Sequence, residues 1–355
     1  MGLILVINPG GGSTKIALFE GEACVLKRSI PHEKIPATFD DILSHRDDLE
    51  KAIVDVLDQE AIEIVALEAI VGRGGALKPL ESGTYRVNAR LAADIKNGNV
   101  QAKHASNLGA LLAFEIAEKL AKPAFMVDPV SVDEFIPEAR LSGLPELERK
   151  SLDHPLNSKM VVRKAAKDLG KDHRRINAIV AHLGTGISVS AHQQGRMIDV
   201  NNAHDGGPFS TQRAGSLPVT QLADLCFSGK HTREEIFAKL TRTGGLRAYL
   251  GTDDITQAEK MAQSGDARAA LVLSAMAYQI AKEIGACAAV LKGRVDAIVF
   301  TGGIAFSDRI VSLVKERVAF IAPHIFVYPG EHEMESLALG ALRVLRGEEE
   351  PKEYK

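Results

Sequence analysis

Three glycine-rich turns hold the residues whose types and spacing suggest chemistry. The stretch LVINPGGGSTKIALFE at 5–20 joins two apolar, strand-like runs through Gly10, Gly11 and Gly12, followed by Ser13, Thr14 and Lys15. A two-residue hairpin would need one glycine, so the extra ones ask for another reason. Glycine lets backbone amides approach a ligand with no Cβ in the way, and consecutive amides in a turn form a concave donor surface for phosphate. The second turn offers Gly184, Thr185 and Gly186 in HLGTG, and the third offers Gly302 and Gly303 in VFTGGIAFSD. That third turn follows an apolar run, where a helix N-terminus also favours an anion. One such turn alone reads as a hairpin or loop, but three of them, two in matching register, point to a polyphosphate. Neither the Walker spacing GxxxxGK[ST] nor a GxGxxG fingerprint is present, so the common P-loop and Rossmann readings fail.

A bound polyphosphate needs its charge cancelled, which arginines can do besides backbone amides. Arg73 in VGRGG and Arg213 in TQRAGSLP lie in glycine-containing loops, where a forked guanidinium binds carboxylate or phosphoryl oxygens. A loop arginine is by default a solvated surface residue, and residue type alone does not override that reading. Asp128 closes the strand-like AFMVD, a position suited to holding Mg²⁺ through a water or to aligning Asn8 and Arg73. Asp before Pro is equally a turn opener.

The elements that must position these residues repeat. ILVINPGGGSTKIALFEG from Ile4 and IVAHLGTGISVSAHQQG from Ile179 show the same succession of β-branched run, polar residue, glycine turn and alternating run. Asn8 falls opposite His182, an offset of 174 residues from 8 to 182 and close to half of the 355. In the first half, 63–75 is strand-like, 107–120 has helical spacing, and KPAFMVDPV is a short buried strand; in the second, a long helix over 266–292 precedes the strand VDAIVFTGG and a helix from Asp308. This is mixed α/β, with a predicted first domain over 1–170, a second over 171–330, and a C-terminal helix within 331–355 returning to the first.

Composition sets outer limits. The chain is long enough for two domains and a cleft. A net charge of -3 gives no electrostatic case for a nucleic-acid partner. Cys24, Cys226 and Cys287 stand far apart without CxxC, which suggests neither a disulfide framework nor a zinc site and fits a reducing cytoplasm. MGLILVINPGGG reads as a first strand, not a leader, and the most apolar long window, 271–291, carries Lys282 and Glu283 in its middle, so no membrane anchor is expected.

In order and over nearly the whole chain, INPGGGSTK, VGRGG, KHASNLGA, VDP, DHPLNSK, HLGTG, QRAGSLP and VFTGGIAFSD resemble the butyrate kinases. These are close relatives of the acetate kinases, in the superfamily that also holds sugar kinases, actin and heat-shock ATPases. The resemblance implies two duplicated ribonuclease-H-like (actin-like ATPase) domains with a nucleotide cleft between them. It implies reversible in-line transfer between ATP and butyrate, or a similar short or branched acid, giving acyl phosphate and ADP with Mg²⁺. Asn8, Gly11, Gly12, Ser13 and Lys15 would then face the transferred phosphoryl group, and His182, Gly184, Thr185 and Gly186 the nucleotide phosphates. Gly302 and Gly303 would flank the adenosine.

Arg73 and Arg213 match the family's site arginines, and His154 matches the histidine that contacts the phosphoryl group. The acetate kinase sequence HGTSH is replaced here by His154 followed by PLNS, so Ser158 stands where a second histidine would be. His104 aligns with a histidine near the acyl site, its alternative being a cap or core residue. A metal-facing carboxylate besides Asp128 is expected near the C-terminal helix; register favours Glu335, then Glu333, with Glu331 left open. The family implies a homodimer or larger homo-oligomer. The competing readings are an actin-like or heat-shock-like ATPase switch, an acetate or propionate kinase, and a sugar kinase, which would call for an Asp base that Asp128 or Asp205 could be mistaken for.

Overall fold

The computed structural model describes residues 2–32, 43–102 and 104–355. The chain divides into two compact units, Met1–Asp133 with His332–Lys355, and Glu134–Glu331.

The first unit is built on a sheet of β1 (Leu3–Pro9), β2 (Ser13–Glu20), β3 (Ala23–Pro31), β4 (Leu67–Arg73), β5 (Thr84–Arg86) and β6 (Ala124–Val127), completed by a short C-terminal strand, Lys352–Glu353. β1 pairs antiparallel with β2 and parallel with β4, and β4 pairs parallel with β6. Successive residues of β1 and β6 are buried, which requires cover on both faces. Helices Asn107–Leu120 and Glu333–Leu345 both pack on β1, β4 and β6. Gly72 and Met126 are register partners, and a Cβ on Gly72 would lie 1.9 Å from the Gly109 carbonyl of the first helix. The next residue, Val127, points to the other face and presses on Gly340 of the second helix.

The second unit repeats the plan with β7 (Asn177–Leu183), β8 (Ile187–Gln193), β9 (Arg196–Val200), β10 (Ala297–Gly302) and β11 (His324–Pro329), ordered β11-β10-β7-β8-β9. β7 begins and ends 174 residues after β1, as the sequence echo requires, and the parallel and antiparallel pairings match those of β3-β2-β1-β4-β6. Alternation divides β7 and β10 between two cores. Ile179, Ala181, Ile298 and Phe300 pack with Met276, Ile280 and Ile284 of helix Ala267–Val290, while Ala178, Val180 and Val299 pack with Val161, Val162 and Ala165 of helix Pro155–Asp168.

That second packing moves the domain boundary. The predicted break near residue 170 is replaced by one at Asp133/Glu134, because the apolar stripe of helix Pro155–Asp168 covers the β7–β10 face. The buried ion pair between Lys159 and Glu134 ties the same segment to the second unit, with the Lys159 ammonium also donating to the Gly195 carbonyl at 2.8 Å. Lys159→Met should lower the unfolding free energy by about 3–5 kcal/mol, because it leaves the Glu134 carboxylate buried without its cation. Urea titration measures it, and a change below about 1 kcal/mol would show that the pair contributes little.

His192 on β8 is fully buried, and desolvation, with Lys159 and Arg163 adding, pushes its imidazole down to about 3 against the opposing charge of Asp153. Between that value and about pH 6.5 the unfolded chain binds a proton that the folded chain does not, so stability is lost as pH falls, at up to about 1.4 kcal/mol per pH unit from this one group. Unfolding measured at pH 7 and pH 5 should therefore show a gap that His192→Asn narrows by about 2 kcal/mol.

Candidate functional site

Each unit gathers its own cluster at the ends of its central strands. In the first, Asn8 on β1 and Arg73 on β4 sit on adjacent parallel strands, and helix Glu333–Leu345 brings Glu333 to both. Asn8 Nδ2 donates to Glu333 Oε2 at 2.7 Å, Arg73 Nη1 donates to Asn8 Oδ1 at 3.4 Å, and the same Nη1 is ion-paired with Glu333 Oε1. Arg73 and Glu333 side chains are 22% and 16% exposed, so the pair is sheltered while the rest of the guanidinium keeps donors to offer.

Of the two acids named for the metal, Glu333 is the one brought to this cluster. Glu335 instead pairs with His332 Nδ1 at 3.3 Å and is 44% exposed, and Glu331 lies in the second unit, where its carbonyl accepts from Asn157 Nδ2 at 2.6 Å. Asp128 is buried in a left-handed conformation, φ 36°, and its Oδ1 accepts from Ser82 Oγ at 2.6 Å and from the Gly83 amide at 2.8 Å. That oxygen fastens the 82–83 turn, a role the sequence did not suggest for Asp128. His104 Nδ1 accepts from the Ser106 amide at 3.1 Å. The protein packed around the ring, and then the charge of Arg73, lower the His104 imidazole from its ordinary range, although the residue keeps a solvent-exposed face.

The first turn differs from the glycines that packing explains. Gly72, Gly109 and Gly75 are glycines because a Cβ would strike backbone or Asn107, and Gly302 combines φ 87° with Leu183 at 2.4 Å. At Gly11 and Gly12 a Cβ would meet nothing within 4 Å, and neither has positive φ. Packing and backbone geometry leave these two glycines unexplained, whereas an approaching anion would use the open space. Ser13 opens β2, and Lys15 beside it is exposed.

In the second unit the HLGTG turn and the Arg213 loop are stapled together. Ser210 Oγ donates to the Thr185 carbonyl and accepts from the Arg213 amide at 3.0 Å. The Arg213 guanidinium lies over the turn so closely that a Cβ on Gly186 would be 2.3 Å from Nη1. Burial lowers its affinity for the proton, though an arginine stays charged at neutral pH, and among the described residues no carboxylate is ion-paired with it. His154, which caps helix Pro155–Asp168, stacks on His182 of β7 with ring centroids 4.1 Å apart and planes within 9°. His182 Nδ1 meets Asn157 Oδ1 at 3.0 Å, and His154 Nδ1 meets Asp153 Oδ1 at 3.3 Å and Ser188 Oγ at 3.2 Å. Ser158 is buried, with its hydroxyl donating to the Pro155 carbonyl at 3.4 Å.

Gly184 neighbours His182, Nε2 lying 3.3 Å from where a Cβ would be, and Gly303 is exposed with open space beside it. Asp205 is exposed and accepts from Asn202 Nδ2 at 2.6 Å. Sequence reasoning missed Asp153, Asn157 and Ser188. The first two stand inside the motif DHPLNSK, and their helix-start spacing was the available signal; Ser188 is brought in only by the pairing of β8 with β7.

As a donor set for Mg²⁺, the first cluster supplies the carboxylate of Glu333 and the amide oxygen of Asn8. Among the described residues no three His, Cys, Asp or Glu side chains cluster as a metal cage. Few protein oxygens suit a Mg²⁺ that arrives on nucleotide phosphates and keeps its waters. No helix among the described residues is long and apolar enough to cross a membrane.

These features define a class: a duplicated mixed α/β fold of two ribonuclease-H-like sheets with glycine turns at the ends of their central strands. Residues 149–324, just under half of the chain, match the model described as the Acetokinase family. The fold is shared with an acetate kinase from Porphyromonas gingivalis, at 19% identity and TM-score 0.79 over 98% of this chain and 100% of that one. It is likewise shared with a propionate kinase from Francisella tularensis (20% identity, TM-score 0.72, 95% and 98% covered) and an acetate kinase from Entamoeba histolytica (16%, 0.74, 95% and 98%).

Proposed function

We propose that the protein is an ATP-dependent carboxylate kinase that transfers phosphoryl reversibly between ATP and butyrate, or a similar short or branched fatty acid. The observation that carries this reading is Arg213, a half-buried guanidinium laid over a glycine turn with no carboxylate partner among the described residues. A sheltered cation of this kind suits an anionic ligand. The acetokinase match over 149–324 and the open space at Gly11 and Gly12 support the same conclusion.

The acceptor carboxylate is ionised at neutral pH, so no base is needed and the two arginines act by orientation and charge neutralisation. Arg213, His182 and the amides of 184–186 would hold nucleotide phosphates, with Gly302 and Gly303 at the adenosine. Arg73, Asn8, His154 and the 11–15 turn would serve the moving group, and His104 the acyl end. Mg²⁺, held by Glu333 and Asn8, would neutralise charge on phosphate oxygens. A sugar-kinase reading finds less support, since of the two acids weighed as its base Asp128 holds a turn and Asp205 pairs with Asn202.

Incubation with MgATP, hydroxylamine and acids from acetate to branched five-carbon acids tests the proposal through hydroxamate formation. Butyrate or a branched acid should give the highest kcat/KM, with each misplaced methylene costing about tenfold or more. An acetate optimum would reassign the substrate, and ATP turnover indifferent to every carboxylate would favour an ATPase switch.

A further inference from the structure

We propose that Asp153 is the positioning residue for His154, fixing the ring so that Nδ1 carries a proton toward Asp153 and Nε2 faces the reacting phosphoryl group. The inference rests on the carboxylate-kinase reading for its function, but its geometry stands alone. The Asp153 side chain is 1% exposed, against 31% for His154, and its Oδ1 lies 3.3 Å from His154 Nδ1. An ionised carboxylate only accepts hydrogen bonds, so this contact places a proton on Nδ1. Burial alone would raise the Asp153 carboxyl, but the hydrogen bond and charge of His154, the Ser188 hydroxyl and the His154 amide outweigh it and hold Asp153 below the usual range.

Ser188 Oγ, 3.2 Å from the same Nδ1, fixes the ring from β8. Stacking on His182 at 4.1 Å removes the ring's remaining freedom to tilt. The neighbouring histidine is built alike: Asn157 Nδ2 donates to the Glu331 carbonyl at 2.6 Å, which turns Oδ1 toward His182 Nδ1 at 3.0 Å. With its Nδ1 held by a buried acceptor, the His154 ring leaves Nε2 for a ligand oxygen. Among the described residues Asp153 Oδ2 has no hydrogen-bond partner, so the carboxylate is not explained by a wider structural network. A buried acid with one free oxygen is expensive to keep unless the histidine it orients matters.

Nitrogen-15 NMR of the histidine rings in the wild-type protein tests the assignment first. His154 should show the Nδ1–H tautomer when neutral, and an Nε2–H tautomer would overturn the proposal whatever the enzyme's activity. Asp153→Asn should then lower kcat about tenfold to hundredfold with KM for ATP changed less than about threefold. In a His154→Gln background it should have no further effect, because a residue acting through His154 cannot act without it. Equal losses in both backgrounds would mark Asp153 as merely structural. If Asp153→Asn fails to fold, Asp153→Ser takes its place, and the wild-type spectrum still decides. Absence of hydroxamate with a correct tautomer would reject the carboxylate reading and leave the positioning geometry intact.

Discussion

Arg73→Ala is expected to lower kcat for hydroxamate formation by a factor on the order of 10³, with little change in thermal stability. The guanidinium sits at the end of β4 with one nitrogen held by Glu333 and Asn8, so its orientation is set before any ligand arrives. Pre-set orientation is what lets an arginine stabilise charge that develops only in the transition state. Removing it deletes that charge and also releases Glu333, whose 16% exposed carboxylate would then be free to turn against an incoming anion. Arg73→Lys should recover less than a tenth of the loss, because a single ammonium cannot satisfy Glu333 and Asn8 while presenting a fork to a second oxygen pair. Activity within about tenfold of wild type for Arg73→Ala would remove Arg73 from the proposed chemistry.

Gly302→Ala should destabilise the second unit by about 2–6 kcal/mol. Two independent penalties contribute: a φ of 87° that an L side chain rarely adopts, at about 1–3 kcal/mol, and overpacking of similar size. The clash is with backbone, since the new Cβ would lie 2.4 Å from the Leu183 carbonyl oxygen and 2.8 Å from the Leu183 nitrogen, so no side-chain rotation relieves it. Gly303→Ala is the matched control. Its Cβ meets nothing within 4 Å, so stability should change by no more than about 0.5 kcal/mol, and any effect should appear in KM for ATP. Equal denaturant midpoints for the two variants would show that the Gly302 backbone relaxes freely.

The duplicated sheets were legible because β-branched runs ending in glycine turns recur at a fixed offset, and β1 and β7 keep that offset at both ends. The domain boundary was not. The apolar stripe of helix Pro155–Asp168 reads the same whichever sheet it covers, and only the packing of Val161, Val162 and Ala165 against Ala178 and Val180 decides. The choice between Glu333 and Glu335 did have a signal. Glu333 continues the stripe of Leu337, Gly340 and Ala341 at helical spacing toward the sheet, while Glu335 points away from it. Asp128 shows the opposite case: its strand-end position before Pro suited a metal ligand or a turn opener, whereas its partners Ser82 and Gly83 are 46 and 45 residues away. Asp153 was visible only through its helix-start position in a motif, since its meaning depends on ring orientation and on a serine from another strand.

The central claim, that a carboxylate oxygen attacks the γ-phosphorus of ATP, is tested most directly with butyrate labelled with oxygen-18 in both carboxyl positions. In-line attack puts one labelled oxygen in the bridge of the acyl phosphate. Hydroxylamine then displaces it at the acyl carbon, so the released inorganic phosphate carries one oxygen-18 per ADP formed. Phosphate that contains only oxygen from ATP and solvent, at the same ADP yield, would mean that water is the acceptor and that the protein is not a carboxylate kinase.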